Sequence, residues 1–214
     1  MTDDDDDSGA RTEAARKLFA GPCDFFWAAS TPDNLPPPSQ PEIAFVGRSN
    51  AGKSSLVNAL TGRKTLARVS HTPGRTRQIN FFHLGDKLVL ADLPGYGYAR
   101  ASKSLAEEWQ SLIFAYLRGR ANLSRVALLV DARRGLMDTD RAAMGLLDQA
   151  AVSYAVVLTK IDQLSPALRA KAQAETADEA RRHTAAYPEI FATSALKALG
   201  LDPLKAHLAA LAAH

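Results

Sequence analysis

From residue 42 onward the chain alternates short, continuously apolar runs with longer segments whose apolar residues recur every three or four positions. The runs are EIAFV (42–46), QINFFHL (78–84), KLVLAD (87–92), RVALLVD (125–131), YAVVLTK (154–160) and EIFAT (189–193), and they predict strands. Helical segments are predicted to begin near Lys53, Leu105, Asp138, Pro166 and Leu199. Runs such as VALLVD and AVVL carry no polar face, which suits strands covered on both sides in a parallel sheet. Strand and helix in alternation predict one α/β domain with a mostly parallel six-stranded sheet and helices on both faces. The runs 78–84 and 87–92, joined by Gly85-Asp86, predict an antiparallel hairpin within that sheet.

The region before residue 42 follows another pattern. Residues 1–12 are expected to form a disordered acidic tail, because Asp3 to Asp7 repel one another and nothing apolar is available to bury. Residues 13–41 are expected to form an N-terminal helix or arm and a Pro-rich connector. Leu18, Phe19, Phe25, Phe26 and Trp27 would pack on the main domain, and LPPPSQP (35–41) would run extended. The α/β domain then covers residues 42–214.

Composition narrows the class of protein. The 214 residues are 46% hydrophobic and 23% charged, the proportions of a globular chain with a true core. No apolar run approaches the roughly 18 residues of a membrane span, and an acidic start is unlike a signal or transit peptide. The expectation is therefore a cytoplasmic protein with no membrane partner. Cys23 is the single cysteine, which excludes internal disulfides and cysteine-rich zinc sites. Net charge is +3, but Asp3–Asp7 are five of the 23 acids and no Lys or Arg lies in the first ten residues. The rest of the chain thus carries 26 basic against 18 acidic residues. A basic body fits an anionic partner such as nucleic acid, although many proteins of high isoelectric point have none.

Candidate chemistry begins after the first predicted strand of that domain. Gly47-Arg48-Ser49-Asn50-Ala51-Gly52-Lys53-Ser54 matches G-x-x-x-x-G-K-[ST] between a strand and a helix start. Gly47 and Gly52 let the backbone turn its N–H groups toward phosphates, and Lys53 brings a charge to the β- and γ-phosphates. The Ser54 hydroxyl suits Mg²⁺, and the helix N-terminus beyond it favours an anion. Asp92-Leu93-Pro94-Gly95 closes another strand: the carboxylate can hold Mg²⁺ through water and the Gly95 N–H can sense a γ-phosphate. Thr159-Lys160-Ile161-Asp162 follows. Asp162 can accept from guanine N1–H and N2–H₂, a donor pair adenine lacks, and the Lys160 stem can lie over the base. Thr193-Ser194-Ala195 would support the base through backbone N–H groups. The substrate expected is GTP, with GDP as product.

GRSNAGKSS, PGRTRQ, DLPGYGYA, TKID and TSA together resemble the EngB (YihA/YsxC) family of bacterial GTPases, within the TrmE/Era/EngA/EngB class. The resemblance covers roughly residues 15 to 212. Thr159, where most GTPases have Asn, agrees with this family. It implies a P-loop GTPase domain that acts as a switch in assembly of the large (50S) ribosomal subunit, with an effect on cell division and septation. Its implied partners are that subunit or its precursor, through rRNA and ribosomal proteins, and the chain is expected to be a monomer. By the same match, Gly74, Arg75, Thr76, Arg77 and Gln78 form switch I, and Thr76 joins Ser54 and Asp92 as a Mg²⁺ ligand. Ser55 belongs to the nucleotide site with the P-loop.

The catalytic expectation rests on Lys53, Thr76 and Asn50. Tyr96 stands where Ras-like enzymes carry a water-orienting Gln, and a phenol there predicts slow hydrolysis. The likeness to TrmE-type GTPases implies that Asn50 helps bind a K⁺ ion that supplies positive charge; a structural role for Asn50 is the alternative. A nucleotide-gated RNA- or protein-binding module with negligible hydrolysis is the competing function. Arginines and lysines gather near the switches (Arg68, Arg75, Arg77, Arg100, Lys103), and a second group comprises Arg118, Arg120, Arg125, Arg133 and Arg134. Either could meet RNA or could simply be solvated. His71, His83 and Cys23 are expected in packing or surface roles.

Overall fold

The computed structural model describes residues 3–66, 78–96 and 103–213. Its elements in chain order are α1 (Asp3–Ala20), β1 (Cys23–Ala29), β2 (Glu42–Gly47), α2 (Lys53–Thr61), β3 (Ile79–Leu84), β4 (Leu88–Asp92) and α3 (Lys103–Gly119). Then follow β5 (Leu123–Asp131), α4 (Asp138–Gln149), β6 (Tyr154–Thr159), α5 (Pro166–Ala180), β7 (Phe191–Ala192) and α6 (Leu201–Ala210). The strands form one sheet in the order β1-β3-β4-β2-β5-β6-β7. β4, β2, β5, β6 and β7 are parallel, and β3 pairs antiparallel with β4 as the short turn demands.

Alternation along the strands divides the core between two faces. Ala44, Val46, Val126, Leu128, Val156 and Leu158 point to the face covered by α3 and α4 through Leu112, Tyr116, Met144 and Leu147. Ile43, Phe45, Ala127, Leu129, Ala155 and Val157 point to the other, covered by Phe19 of α1, Leu56 and Leu60 of α2, and Leu204 and Leu208 of α6. Both sides of the central strands are therefore dry, which is why these runs show no polar period.

Two expectations for the N-terminal region are corrected. The acidic residues expected to be disordered lie, from Asp3 on, in α1. Negative charge near a helix N-terminus is favoured by the backbone dipole. The far half is held by Glu13 pairing with Arg16 and Lys17, and by burial of Ala15 and Phe19 against the α6 face. The aromatic stretch, expected within an N-terminal helix or arm, is β1, a seventh strand antiparallel to β3. A register shift between Phe25 and Trp27 gives it an extra residue opposite Phe82 and Phe81. Only Phe26 of the three aromatics turns inward, stacking on His83 with ring centroids 3.8 Å apart. Phe25 and Trp27 remain 57% and 40% exposed.

At the N-terminal ends of the parallel strands, Glu42 is fully buried and organises its surroundings. Arg120 forks onto it (Nη2 to Oε2 2.8 Å, Nε to Oε1 3.1 Å), and Tyr116 donates its hydroxyl to the same carboxylate. Arg120 also donates to the Pro36 carbonyl, which fastens the Pro-rich connector beneath the end of α3. Arg120 is thus a structural cation and not part of a basic surface.

Candidate functional site

The C-terminal ends of β2, β4, β5, β6 and β7 converge on one edge of the sheet, where an open α/β fold places its ligand. The loop Gly47–Gly52 rises from β2 and turns into α2. Two residues take left-handed backbone: Asn50 (φ 65°), a residue type that tolerates it, and Gly52 (φ 95°) at the helix start. Gly47 is needed for a different reason. A Cβ there would stand 2.8 Å from the Leu129 carbonyl oxygen of β5.

The loop is braced from both sides. Toward β4, the Ser49 N–H donates to the Tyr96 carbonyl (3.0 Å) and the Tyr96 N–H to the Gly47 carbonyl (3.2 Å). A Cβ on Gly95 would approach Gly47 O and Ser49 N to 3.2 and 3.3 Å, so Asp92-Leu93-Pro94-Gly95 lies flat on the P-loop. Toward β6, the Thr159 hydroxyl donates to the Ala51 carbonyl, and Lys160 Nζ donates to the Asn50 carbonyl at 2.6 Å. Thr159 can hold the loop with one hydroxyl because it is buried directly below it.

Lys53 Nζ pairs with the Asp92 carboxylate, which brings the phosphate-binding cation and the predicted Mg²⁺ ligand together. Ser54 follows Lys53 in the first turn of α2. Among the described residues no cluster of three His, Cys, Asp or Glu exists. One carboxylate with one hydroxyl is nonetheless the donor set Mg²⁺ uses when it keeps water and binds nucleotide phosphates. Ser54 and Asp92 therefore fit that ion, completed by ligands from the substrate. Gly74, Arg75, Thr76 and Arg77 lie outside the described residues, as do Arg68, His71 and Arg100. Gln78 is described, exposed just before β3.

The base end is built on Lys160, itself left-handed (φ 59°), and a single helical turn, Ile161–Gln163, that carries Asp162. Asp131 at the end of β5 was not anticipated as part of this region. It accepts from Lys160 Nζ at 2.9 Å and from Arg133 Nε at 2.9 Å. Burial pushes the Asp131 carboxyl up, but the hydrogen bonds from Arg133 and Lys160 outweigh it and hold the group at about 2. Lys160 is thus fixed between Asp131 and the P-loop, its stem passing 3.6 Å from where a Gly52 Cβ would be. The signal in the sequence was a carboxylate at a strand end, which counts little without the fold.

Thr193 and Ser194 use their N–H groups within the protein, on Leu158 O (2.7 Å) and Leu199 O (2.9 Å). They shape the loop, and Ala195 follows them at its start. Gly200, also unanticipated, closes that loop with φ 65°, and a Cβ there would fall 2.0 Å from Ala192 O.

Tyr96 turns away from the phosphate side. It is buried, and its hydroxyl donates to Asp140 Oδ1 at 2.8 Å, while Oδ2 of the same carboxylate accepts from Met137 N at 2.9 Å and caps α4. Burial first, and then the neighbouring Asp140 charge, push the phenol far above its ordinary value, so it stays protonated. Arg48 reaches the same helix end, against the Met137 sulfur. Elsewhere, Cys23 is buried, its thiol pushed up to about 11 by desolvation, and so inert.

A strand-loop-helix turn carrying Gly47 to Ser54, with Lys53 against Asp92 and the Asp92–Tyr96 segment packed on it, defines a P-loop fold. A model of the 50S ribosome-binding GTPase family matches residues 42–160. Probable GTP-binding proteins EngB are similar over nearly the whole chain. That of Gluconobacter oxydans is 54% identical over 95% of this chain and 89% of its own length. That of Granulibacter bethesdensis is 57% identical over 93% and 89%. This chain belongs to the EngB family of GTPases. A crystal structure of a probable EngB shares the fold (TM-score 0.63, 24% identity, 80% of this chain and 98% of that one). So does Era in complex with MgGDPNP and nucleotides 1506–1542 of 16S ribosomal RNA (TM-score 0.63, 26% identity, 81% and 57%). Among the described residues no helix is long and apolar enough to cross a membrane.

Proposed function

We propose that this protein is a slow GTPase switch that engages the large ribosomal subunit, or its precursor, in the GTP-bound state during assembly. The observation that carries the reading is the packing of Gly95 and Tyr96 directly on the P-loop. A γ-phosphate that engages the Gly95 N–H must act on the same backbone that holds Gly47 and Ser49. The family's description as ribosome-binding supports the partner.

In this reading the P-loop N–H groups and Lys53 hold the phosphates, while Asp162 accepts from the guanine edge and Lys160 flanks the base. Ser54, Asp92 and Thr76 would hold Mg²⁺, which would supply charge neutralisation to the nucleotide phosphates. Catalysis is mainly positioning and electrostatic stabilisation. Slow turnover follows from Tyr96: its hydroxyl is spent on Asp140, so that position offers no carboxamide to the attacking water. Exposure of Asn50 in the P-loop supports the reading that its side chain helps bind K⁺. Turnover would then be faster in KCl than in NaCl at equal ionic strength, and equal rates would dismiss the ion.

The deciding experiment is co-sedimentation with purified large subunits in GTP analogue, GDP and no nucleotide, at two salt concentrations. Binding confined to the GTP analogue is expected. Binding indifferent to nucleotide would refute the switch, and no binding in any state would refute the partner. An effect on septation would follow from failed ribosome assembly. It should therefore appear only in cells whose large-subunit levels have already dropped.

A further inference from the structure

Arg125 lies near the start of β5, six residues before Asp131 and therefore about 20 Å from the nucleotide edge along the strand. Its guanidinium carbon sits 4.6 Å over the Tyr187 ring. Nε and Nη1 are both buried without a hydrogen-bond partner, and desolvation lowers the pKa of the group. Beside it opens a cavity of about 380 Å³ whose walls include Asp148, Ser153, Thr184, Tyr187 and Pro188.

Among the described residues no neighbour neutralises this cation. Asp148 is the acid on the wall, but its oxygens are occupied by His183 Nδ1 (2.6 Å) and Ala185 N (3.0 Å). Among the described residues no carboxylate makes an ion pair with Arg125. His207, packed against Tyr187, is pushed down to about 4 by burial and then by the Arg125 charge, so it is neutral and offers no counter-charge. A half-buried guanidinium with idle donors is costly, and an oxyanion in the adjoining cavity would neutralise it.

We propose that this recess is an oxyanion-binding site and that, on the ribosome, it takes a single backbone phosphate of rRNA whatever the bound nucleotide. The inference rests on the ribosomal partner argued above. A phosphodiester suits the site better than a terminal phosphate, because the Asp148 charge on the wall disfavours a dianion. Ser153 and Thr184 at the rim bring hydroxyl donors for its remaining oxygens. The basic excess of the chain outside residues 3–7 favours RNA over an acidic protein.

The site is tested first by itself, by following the Arg125 Nε–Hε resonance while titrating dimethyl phosphate, inorganic phosphate or acetate. A saturable shift with dimethyl phosphate, stronger than with the other two, is expected. No saturable shift overturns the site, and a preference for acetate overturns its assignment to RNA. The partner is tested by co-sedimentation of large subunits over a salt series. Arg125→Gln, with folding verified by circular dichroism, should lower the slope of log affinity against log salt by about 0.7 to 1 in both GTP analogue and GDP. Arg125→Lys should keep most of that slope. An unchanged slope in Gln, or an equal loss in Lys, refutes the phosphate contact. If the unaltered protein fails to bind subunits, the ribosomal reading falls, and the diester titration still decides the oxyanion site. That titration on the unaltered protein also decides it should either variant misfold.

Discussion

Replacing Tyr96 by Phe separates a structural from a chemical role at the position after Gly95. The variant deletes one oxygen. That oxygen donates at 2.8 Å to Asp140 Oδ1, with Tyr96 7% exposed and Asp140 1% exposed. Water cannot readily take its place, so a buried carboxylate oxygen loses a donor while Oδ2 keeps the Met137 N–H. Hydrogen bonds to charged groups contribute about 1.5–3 kcal/mol, and an orphaned partner adds to the loss. About 2 kcal/mol of destabilisation is expected, or a Tm lower by about 4–8 °C for a chain of this size.

The catalytic expectation runs the other way. If the hydroxyl is committed to Asp140, it does not orient water, and single-turnover hydrolysis by folded Tyr96→Phe should stay within about threefold of the parent, under 1 kcal/mol of barrier. Thermal unfolding with and without nucleotide, beside single-turnover GTP hydrolysis, reads both quantities on one preparation. A double-mutant cycle with Asp140→Ala should return a coupling of about 1–2 kcal/mol. A fall in the hydrolysis rate of about 100-fold with stability unchanged would refute the reasoning and make the phenol part of the chemistry.

Three further outcomes follow from other parts of the molecule. Arg120→Met leaves the buried Glu42 carboxylate without its cation and should cost about 3–5 kcal/mol in urea unfolding, while Glu42→Gln combined with Arg120→Met should recover most of it. Asp131 has an ordinary value of 3.8 and is held at about 2 in the fold, so its contribution is complete above that ordinary value and is lost as pH falls toward 2. The stability difference between the parent and Asp131→Asn should therefore shrink by about 2 kcal/mol between about pH 5 and pH 2 in acid-titrated melts. Gly200→Ala forces a Cβ onto the Ala192 carbonyl at left-handed backbone. It should cost at least about 2 kcal/mol and weaken GTP binding through the Ser194–Leu199 loop, read by calorimetric titration.

The parts of this site that were legible in the sequence are those whose chemistry dictates residue type at short, fixed spacing. Gly47 to Ser54, Asp92 to Gly95 and Thr159 to Asp162 each sit within one strand-to-loop transition, so local pattern and function coincide. β1 was not legible, because CDFFWAA carries a bulge and no alternation, and it becomes a strand only through β3. The helical state of residues 3–12 was hidden by charge, since repulsion among aspartates and their favourable place at a helix N-terminus have opposite consequences. Tyr96 and Asp140 are 44 positions apart, and Glu42 and Arg120 are 78 apart. No spacing rule joins such pairs, and an arginine cluster counted along the chain cannot separate the buried Arg120 from the half-buried Arg125.

These long-range contacts also constrain how the proposed switch would move. The P-loop is tied to Asp92–Tyr96 on one side and to Thr159 and Lys160 on the other, so it is the fixed part of the site. α3, the next described element after Tyr96, has its far end anchored by Tyr116 and Arg120 to the buried Glu42 at the base of the sheet. If the proposed switch draws on the N-terminal end of α3, a helix held at its C-terminal end would pivot, because translation would expose the Glu42 pair at a cost of several kcal/mol. Exchange of GDP for a GTP analogue should then alter amide hydrogen exchange in the first turns of α3 and leave the turn from Tyr116 to Gly119 unchanged. Equal change along the whole helix would mean that the anchor gives way, and Arg120→Met should then have no effect on how nucleotide alters ribosome binding.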